Sequence, residues 1–173
     1  MLPKSFYNKD TKTLAKDLLG RHLIHKNKIG MIVETEAYLG PHDKGAHSRV
    51  GRTKRTSVLF DTIGHSYVYL IYGIYSLFNI TSADEGGAVL IRALEPIKNV
   101  TLKTSGPGLL TKALKIDRLH NNRDLTNGGL YLEKGVDNLE IVSRPRIGIN
   151  YAEEWKDKKL RFYIKNNEFV SKL

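Results

Sequence analysis

The sequence predicts an α+β fold: one domain over residues 1–173, with a curved, largely antiparallel sheet and short flanking helices. Three observations predict it. Short runs rich in β-branched and aromatic residues recur along most of the chain, set apart by Gly, Pro, Asn and Asp. Two pairs of these runs are joined so tightly that only antiparallel hairpins connect them. Helical spacing of apolar residues is confined to a few short stretches. A length of 173 residues also falls within the usual range of roughly 100–200 residues for one core.

The elements follow in order. Asp10 or Thr11 caps a helix that carries Leu14, Leu18 and Leu19, with Gly20 just past its end. Residues 22–24 and 28–38 form a hairpin, and residues 40–43 a turn. Residues 66–72 and 75–81 are two strands around Gly73, and 88–94 is a third run. Ser105-Gly-Pro107 opens a helix through Ile116, with Pro107 early enough that its missing N–H does no harm. Residues 121–129 are loop. Residues 130–132, 139–144 and 160–164 are short strands, and 151–158 is one more short helix.

The chain carries 28 Lys and Arg against 18 Asp and Glu, a formal charge of +10. Such a surface attracts polyanions. Nucleic acid comes first, then a membrane surface or an acidic protein, with plain solubility as the bland explanation. No acid occurs between residues 44 and 60, where Lys44, Arg49, Arg52, Lys54 and Arg55 fall. The absence of cysteine excludes disulfides, thiolate catalysis and Cys-bound zinc or iron–sulfur sites. The two cysteines of a zinc deaminase are missing for the same reason. No apolar run nears the ~20 residues that span a bilayer, and no signal peptide is visible after Met1. The histidines lack the spacing of a metal site, residues 105–112 lack the Gly-Lys-Ser/Thr order of a P-loop, and no G-x-S-x-G elbow is present.

Three clusters carry chemistry. At period two, Ile32, Glu34, Glu36 and Tyr38 share one strand face, and Met31, Val33, Thr35 and Ala37 share the other, which is the natural core side. The acidic face is either solvated or a groove floor with a general base in it. Arg92 is the only charge within residues 88–94. A buried guanidinium needs an anionic or ordered polar partner, and Glu36, Glu34 and Glu95 are the candidates, whether for a structural bridge or for a site. Tyr67, Tyr69, Tyr72 and Tyr75 crowd one hairpin. Tyr67 and Tyr69 share a face, Tyr72 points away from them near the turn, and a tyrosine at a turn tip is suited to stacking on or wedging between bases. Tyr38, Tyr69 and His47 offer π-faces to a flat ligand. Core packing explains part of the same pattern.

Taken together, these segments resemble the alkyladenine (3-methyladenine) DNA glycosylases of the AAG/MPG type. The resemblance is carried by Val33-Glu-Thr-Glu-Ala-Tyr-Leu-Gly-Pro41, Ala46-His-Ser-Arg49, Tyr67-Val-Tyr-Leu-Ile-Tyr-Gly73, Leu90-Ile-Arg-Ala-Leu-Glu-Pro96 and Ser105-Gly-Pro107. Asn122-Arg-Asp-Leu125, Arg146-Ile-Gly148 and Leu160-Arg-Phe-Tyr163 continue it. Against the family pattern, Thr56 follows Arg55 where asparagine is usual, Ile63 stands where proline is common, and the N-terminal extension of mammalian members has no counterpart. The first two differences bear on loop geometry.

The resemblance implies a monofunctional DNA repair enzyme that flips damaged purines from duplex DNA and hydrolyses their glycosidic bond. The lesions implied are 3-methyladenine, 7-methylguanine, hypoxanthine and ethenoadenine. It places the general base on Glu36 rather than Glu34 and a water-holding arginine on Arg92. Base-stacking residues fall on Tyr38, His47 and Tyr69, a base-filtering asparagine on Asn79, and the intercalating residue on Tyr72. A backbone carbonyl near Ile147 or Ile149 would help hold the water. Arg49, Arg52, Lys54 and Arg55 are nominated for the DNA backbone. The expected partner is duplex DNA with damaged purines, bound by a monomer in the cytoplasm or nucleus, with no membrane, metal or cofactor. The alternative is a non-catalytic lesion- or nucleic-acid-binding module that uses the same loop and tyrosines and makes Glu36–Arg92 a structural bridge.

Overall fold

A computed structural model describes residues 1–173. Eight strands form one curved antiparallel sheet. They are β1 (His22–His25), β2 (Lys28–Tyr38), β3 (Ser66–Ile71), β4 (Tyr75–Thr81), β5 (Ala88–Lys98), β6 (Leu130–Glu133), β7 (Ile141–Arg144) and β8 (Arg161–Ile164). Their order is β3-β4-β5-β2-β1-β6, and β8 pairs with both β2 and β7. The helices are α1 (Lys4–Tyr7), α2 (Thr11–Asp17), α3 (Ser57–Asp61) and α4 (Pro107–Leu114), with 3₁₀ turns at His47–Val50, Arg118–His120 and Glu153–Asp157.

β2 organises the sheet. One edge pairs with β5 along most of its length. The other edge is divided: residues 28–31 pair with β1, and residues 34–36 with β8. The β2–β5 ladder slips beside Glu34, between Ile32 and Thr35. An irregularity of this kind re-aims side chains and sharpens curvature.

Strand alternation separates two faces. Val68, Phe78, Ile80, Val89, Ile91 and Ala93 enter the main core, where α2 and α4 cover the sheet. The Thr35 hydroxyl donates to the Ala15 carbonyl at 2.8 Å and the Thr111 hydroxyl to the Ser76 carbonyl at 2.7 Å, which ties each helix to its strand. Tyr67, Tyr69, Leu77, Asn79, Leu90 and Arg92 alternate with the core residues and face a cavity. The sequence reading of Thr35 and Ala37 as core-side agrees with this arrangement.

Several boundaries differ from expectation. β5 runs on past Leu94 to Lys98, and Pro96 is admitted opposite Gly30 next to a register shift. α4 stops at Leu114 because Lys115 is left-handed, at φ 58°. The helix expected over residues 151–158 is a 3₁₀ turn, and α1 and α3 are too short to show a helical period. Asp10 does cap α2, its carboxylate accepting from the Thr13 N–H at 2.9 Å.

Gly20, past the end of α2, has φ +82°, and a Cβ there would lie 2.3 Å from the Val136 carbonyl oxygen. Gly20→Ala is therefore expected to lower unfolding free energy by more than about 1 kcal/mol, measured as a reduced urea midpoint at unchanged m-value.

Candidate active site

The second face of the sheet opens into a cavity of about 710 Å³. Register sets a transverse row across it: Tyr67 pairs with Asn79, Asn79 with Leu90, and Leu90 with Glu36. Residues opposite one another in an antiparallel sheet point the same way. Tyr67, Asn79 and Leu90 line the cavity, whereas Glu36 is fully buried immediately behind Tyr38, Arg92 and Ile147, which line it.

Those three residues hold the Glu36 carboxylate. Its Oε1 accepts from the Ile147 N–H at 2.7 Å and its Oε2 from the Tyr38 hydroxyl at 2.8 Å, while Arg92 Nη1 stands 3.5 Å from Oε1. The acidic face of β2 is thus not solvated. Nor is Glu36 on an open groove floor: it lies one layer beneath the wall. Burial is the largest influence and pushes its carboxyl above the ordinary value; Arg92, the Ile147 N–H, Tyr38 and Arg146 pull the other way in that order. Arg92 favours the carboxylate, as expected, but desolvation outweighs it. Ile147 contributes its N–H to the carboxylate, and Ile147 and Ile149 both line the cavity.

Arg92 is shared. Its Nε lies 3.4 Å from Glu34 Oε1 and its Nη1 3.5 Å from Glu36. Glu95, the third candidate partner, instead accepts from Asn167 Nδ2 at 2.8 Å. Glu34 is fully buried and bonds Arg161 Nη1 at 2.8 Å.

Aromatic rings form the cavity wall. His47 and Tyr69 have centroids 4.1 Å apart, Tyr67 and Tyr69 5.5 Å, and His47 Nδ1 lies 3.1 Å from the Tyr67 hydroxyl oxygen. Burial, with Arg55 nearby, pushes the His47 pKa down to about 4, so its ring is neutral at pH 7. Burial and the Glu36 charge hold the Tyr38 phenol well above its ordinary value, so it stays a donor. Asn79 is anchored by its Nδ2 donating to the Tyr67 carbonyl at 3.1 Å.

Tyr72 caps the hairpin. It is 85 % exposed and left-handed, with φ 52°, followed by Gly73 at 69°. The Ile74 N–H closes the turn on the Ile71 carbonyl at 3.2 Å, and two positive φ values mark a type I′ turn. The expectation that Tyr72 points away from Tyr69 is corrected: parity ends where the backbone leaves the strand, and both residues border the cavity.

A sequence profile of the methylpurine-DNA glycosylase family matches residues 5–168. A relative in Legionella pneumophila (strain Lens) is 52 % identical, the match covering 99 % of this chain and 98 % of the relative. Relatives in Clostridium acetobutylicum and Myxococcus xanthus are 44 % and 42 % identical, over 99 % of this chain and 98 % and 93 % of their own lengths. All three carry the provisional name 3-methyladenine DNA glycosylase. The chain belongs to the methylpurine-DNA glycosylase family.

In this glycosylase-family chain the basic loop is partly neutralised. Arg52 forms a two-bond pair with Asp61, at 2.9 and 2.5 Å, and Lys44 is paired with Glu153 and Glu154. Arg49 and Lys54 are exposed, and Arg55 lies 5.7 Å over the Tyr69 ring at the cavity edge. Thr56, the departure from the family pattern, is buried and closes the loop: its hydroxyl donates to the Gly51 carbonyl and accepts from the Thr53 N–H, both at 2.8 Å. Ile63 packs against the main core. No helix is long and apolar enough to cross a membrane.

Sequence reasoning missed the supports of the site. Arg146 makes two bonds to Asp43, at 2.6 and 2.9 Å, donates to the Ala37 carbonyl at 2.9 Å and lies 4.6 Å from the Tyr38 ring centroid. In the sequence Asp43 reads only as a turn residue. Its partner is 103 positions away, beyond any local pattern. Asp43→Ala leaves the Arg146 guanidinium buried and unpaired, and is expected to cost about 3–5 kcal/mol in chemical denaturation.

Proposed function

We propose that this chain excises 3-methyladenine, 7-methylguanine, hypoxanthine or ethenoadenine from duplex DNA by hydrolysis, with Glu36 as general base. It acts as a single-domain monomer over residues 1–173, in the cytoplasm or a nucleus. The observation that carries this reading is a buried carboxylate directly behind a cavity walled by aromatic rings, with a guanidinium loosely at its side. Family membership and the net charge of +10 support duplex DNA as the partner.

A purine inside a duplex hides its glycosidic bond, so the nucleotide has to turn out, at a cost of a few kcal/mol. Tyr72, projecting from a rigid turn, fills the gap in the stack. The left-handed backbone of a bulky residue is strained, which suits a device held in place by its hairpin. Arg49, Lys54 and Arg55 meet phosphates. Arg52 joins them by exchanging Asp61, since an exposed ion pair contributes little.

The flipped base stacks on Tyr38, His47 and Tyr69. A neutral His47 matters here, because a protonated ring would repel a cationic alkylpurine that the aromatic faces attract. Asn79 crowds the exocyclic amine of normal guanine. Cleavage builds positive charge on the sugar, which the ionised Glu36 stabilises. Water adds to C1′, its proton passes to Glu36, and the purine leaves with the electrons of the glycosidic bond. A methylated cationic purine departs neutral, which makes it the better leaving group. Of the three contacts around Glu36, the one to Arg92 is the loosest, so water reaches the carboxylate beside Arg92 and is held by both.

The test is incubation with a duplex containing one hypoxanthine, followed by hot alkali. Strand scission is expected from the wild type and not from Glu36→Gln, which should still bind the lesion. Binding without scission by the wild type assigns the fold to lesion recognition alone. Because the Glu36 carboxyl lies above its ordinary value, base release should fall as pH drops through a point above the normal glutamate range; an acid limb at or below that range contradicts its role. Stacking on a base contributes about 1–3 kcal/mol, so Tyr72→Ala should weaken lesion retention about 5- to 150-fold in a gel-shift titration.

A further inference from the structure

Arg92 is held in an unusual way. Charge-assisted hydrogen bonds between guanidinium and carboxylate run at about 2.7–2.9 Å, yet Arg92 stands 3.4 Å from Glu34 and 3.5 Å from Glu36. Its Nε is buried with no hydrogen-bond partner. Neither carboxylate has captured it. Glu36 is already occupied by Tyr38 and Ile147. Glu34 is held just as firmly from its other side.

That other side is the C-terminal segment. The Ser171 N–H donates to Glu34 Oε2 at 2.8 Å, and Arg161 Nη1 donates to Glu34 Oε1 at 2.8 Å. The same Arg161 nitrogen donates to the Lys172 carbonyl at 2.6 Å, and Arg161 Nε donates to the Pro145 carbonyl at 3.0 Å. Asn167 bonds Glu95, and Phe169 and Val170 pack against the core. Residues 167–172 therefore lie across the sheet as a strap and fix Glu34. The result is a buried chain of alternating charge: Arg161, Glu34, Arg92, Glu36.

We propose that Glu34 is a positioning residue, set by the C-terminal strap, that holds Arg92 between two carboxylates and keeps it from closing onto Glu36. The proposal rests on the reading of Glu36 as general base. If Glu34 were neutral, Arg92 would have one carboxylate left to approach. A full Arg92–Glu36 bond would cover the oxygen that water has to reach and make it a poorer base. The other groups facing Glu36 are Tyr38 from β2, Tyr69 from β3, and Arg146 with the Ile147 N–H from the segment after β7. All of them remain in place when Glu34 changes.

The experiment compares the full-length wild type, Glu34→Gln, Ser171→Pro, Ser171→Ala and Glu36→Gln. Single-turnover base release from a hypoxanthine duplex is followed across pH, with lesion affinity and melting temperature measured alongside. Misplacement of a catalytic group by about 1 Å costs up to about 10²-fold, so Glu34→Gln should release base about 10- to 100-fold more slowly while binding the lesion as before. Its acid limb should move to lower pH, because an unshared Arg92 favours the Glu36 carboxylate more strongly. A merely structural role lowers the folded fraction and leaves the rate constant and the acid limb of the folded enzyme unchanged; that outcome overturns the proposal, as does a wild-type rate in Glu34→Gln. Ser171→Pro removes the strap's N–H and also the hydroxyl that accepts from Arg92 Nη2 at 3.5 Å, so it is read against Ser171→Ala, which removes the hydroxyl alone; relative to Ser171→Ala it should show the same two effects, smaller. If Glu34→Gln does not fold, Ser171→Pro decides: slower release with a lower acid limb than Ser171→Ala supports the proposal, and behaviour equal to that of Ser171→Ala overturns it. Release by Glu36→Gln at the wild-type rate overturns the general-base reading itself; loss in Glu36→Gln with no such change in Glu34→Gln or Ser171→Pro overturns only the role of Glu34.

Discussion

Two carboxylates two positions apart on one strand, both without solvent exposure, are the constraint around which the rest is arranged. A buried charge is tolerated only when paired and hydrogen-bonded. Here Glu34 and Glu36 on β2 are answered by guanidiniums from three other places: Arg92 on β5, Arg161 on β8, and Arg146 in the segment after β7. Each arginine brings further backbone with it. Arg146 fixes Asp43 and the end of β2, and Arg161 fixes Pro145 and the C-terminal strap. Well-packed apolar residues are often as stable as buried ion pairs or more so, so packing alone does not account for this charge network. Of its members Arg92 lines the cavity and Glu36 lies directly behind the wall.

The strands were legible because alternation survives in them. The hairpin around Gly73 and the core-side placement of Thr35 and Ala37 follow from period two, and both hold. The face carrying Glu34 and Glu36 follows from the same rule, but its burial does not. What encloses it is the C-terminal segment at Glu34, and Tyr38, Arg92 and the Ile147 backbone at Glu36, and no local pattern announces a strap from the far end of the chain. Tyr72 shows the converse failure, since strand parity was extended one residue past the point where φ turns positive. Tyr38, His47, Tyr69, Asn79 and Arg92 meet at one cavity, and family resemblance supplied Asn79 and the roles of the rest. Residue pattern alone reached the basic loop, the π-faces of Tyr38, His47 and Tyr69, and Arg92 beside the β2 carboxylates, but not Asn79 and not the choice of Glu36 over Glu34. Arg146 belongs to a segment that carries the resemblance, but its pairing with Asp43 was out of reach of either, because a buried pair between distant segments leaves no periodic trace.

Arg55 and Arg92 line the cavity, but its aromatic wall carries no charge of its own. His47 is held neutral, and the Tyr38 and Tyr69 phenols are held protonated by burial. An incoming base therefore meets π-faces with their negative quadrupole intact. Arg55 already lies over Tyr69 at 5.7 Å, which occupies one of those faces with a cation from the exposed loop.

Glu36 shows the tension between folding and function in one side chain. Two hydrogen bonds and two guanidiniums surround it, and its carboxyl is still pushed upward by burial. By linkage, a carboxyl whose folded value lies above its unfolded value opposes folding while ionised, and that cost is relieved as pH falls through the folded value. The chain is thus more stable with Glu36 protonated, the form in which the general base proposed above is absent. Full compensation was available: a close Arg92 contact would lower the carboxyl and strengthen the fold. Arg92 instead stands 3.5 Å away, which leaves the carboxylate more basic, as the proton transfer proposed above requires.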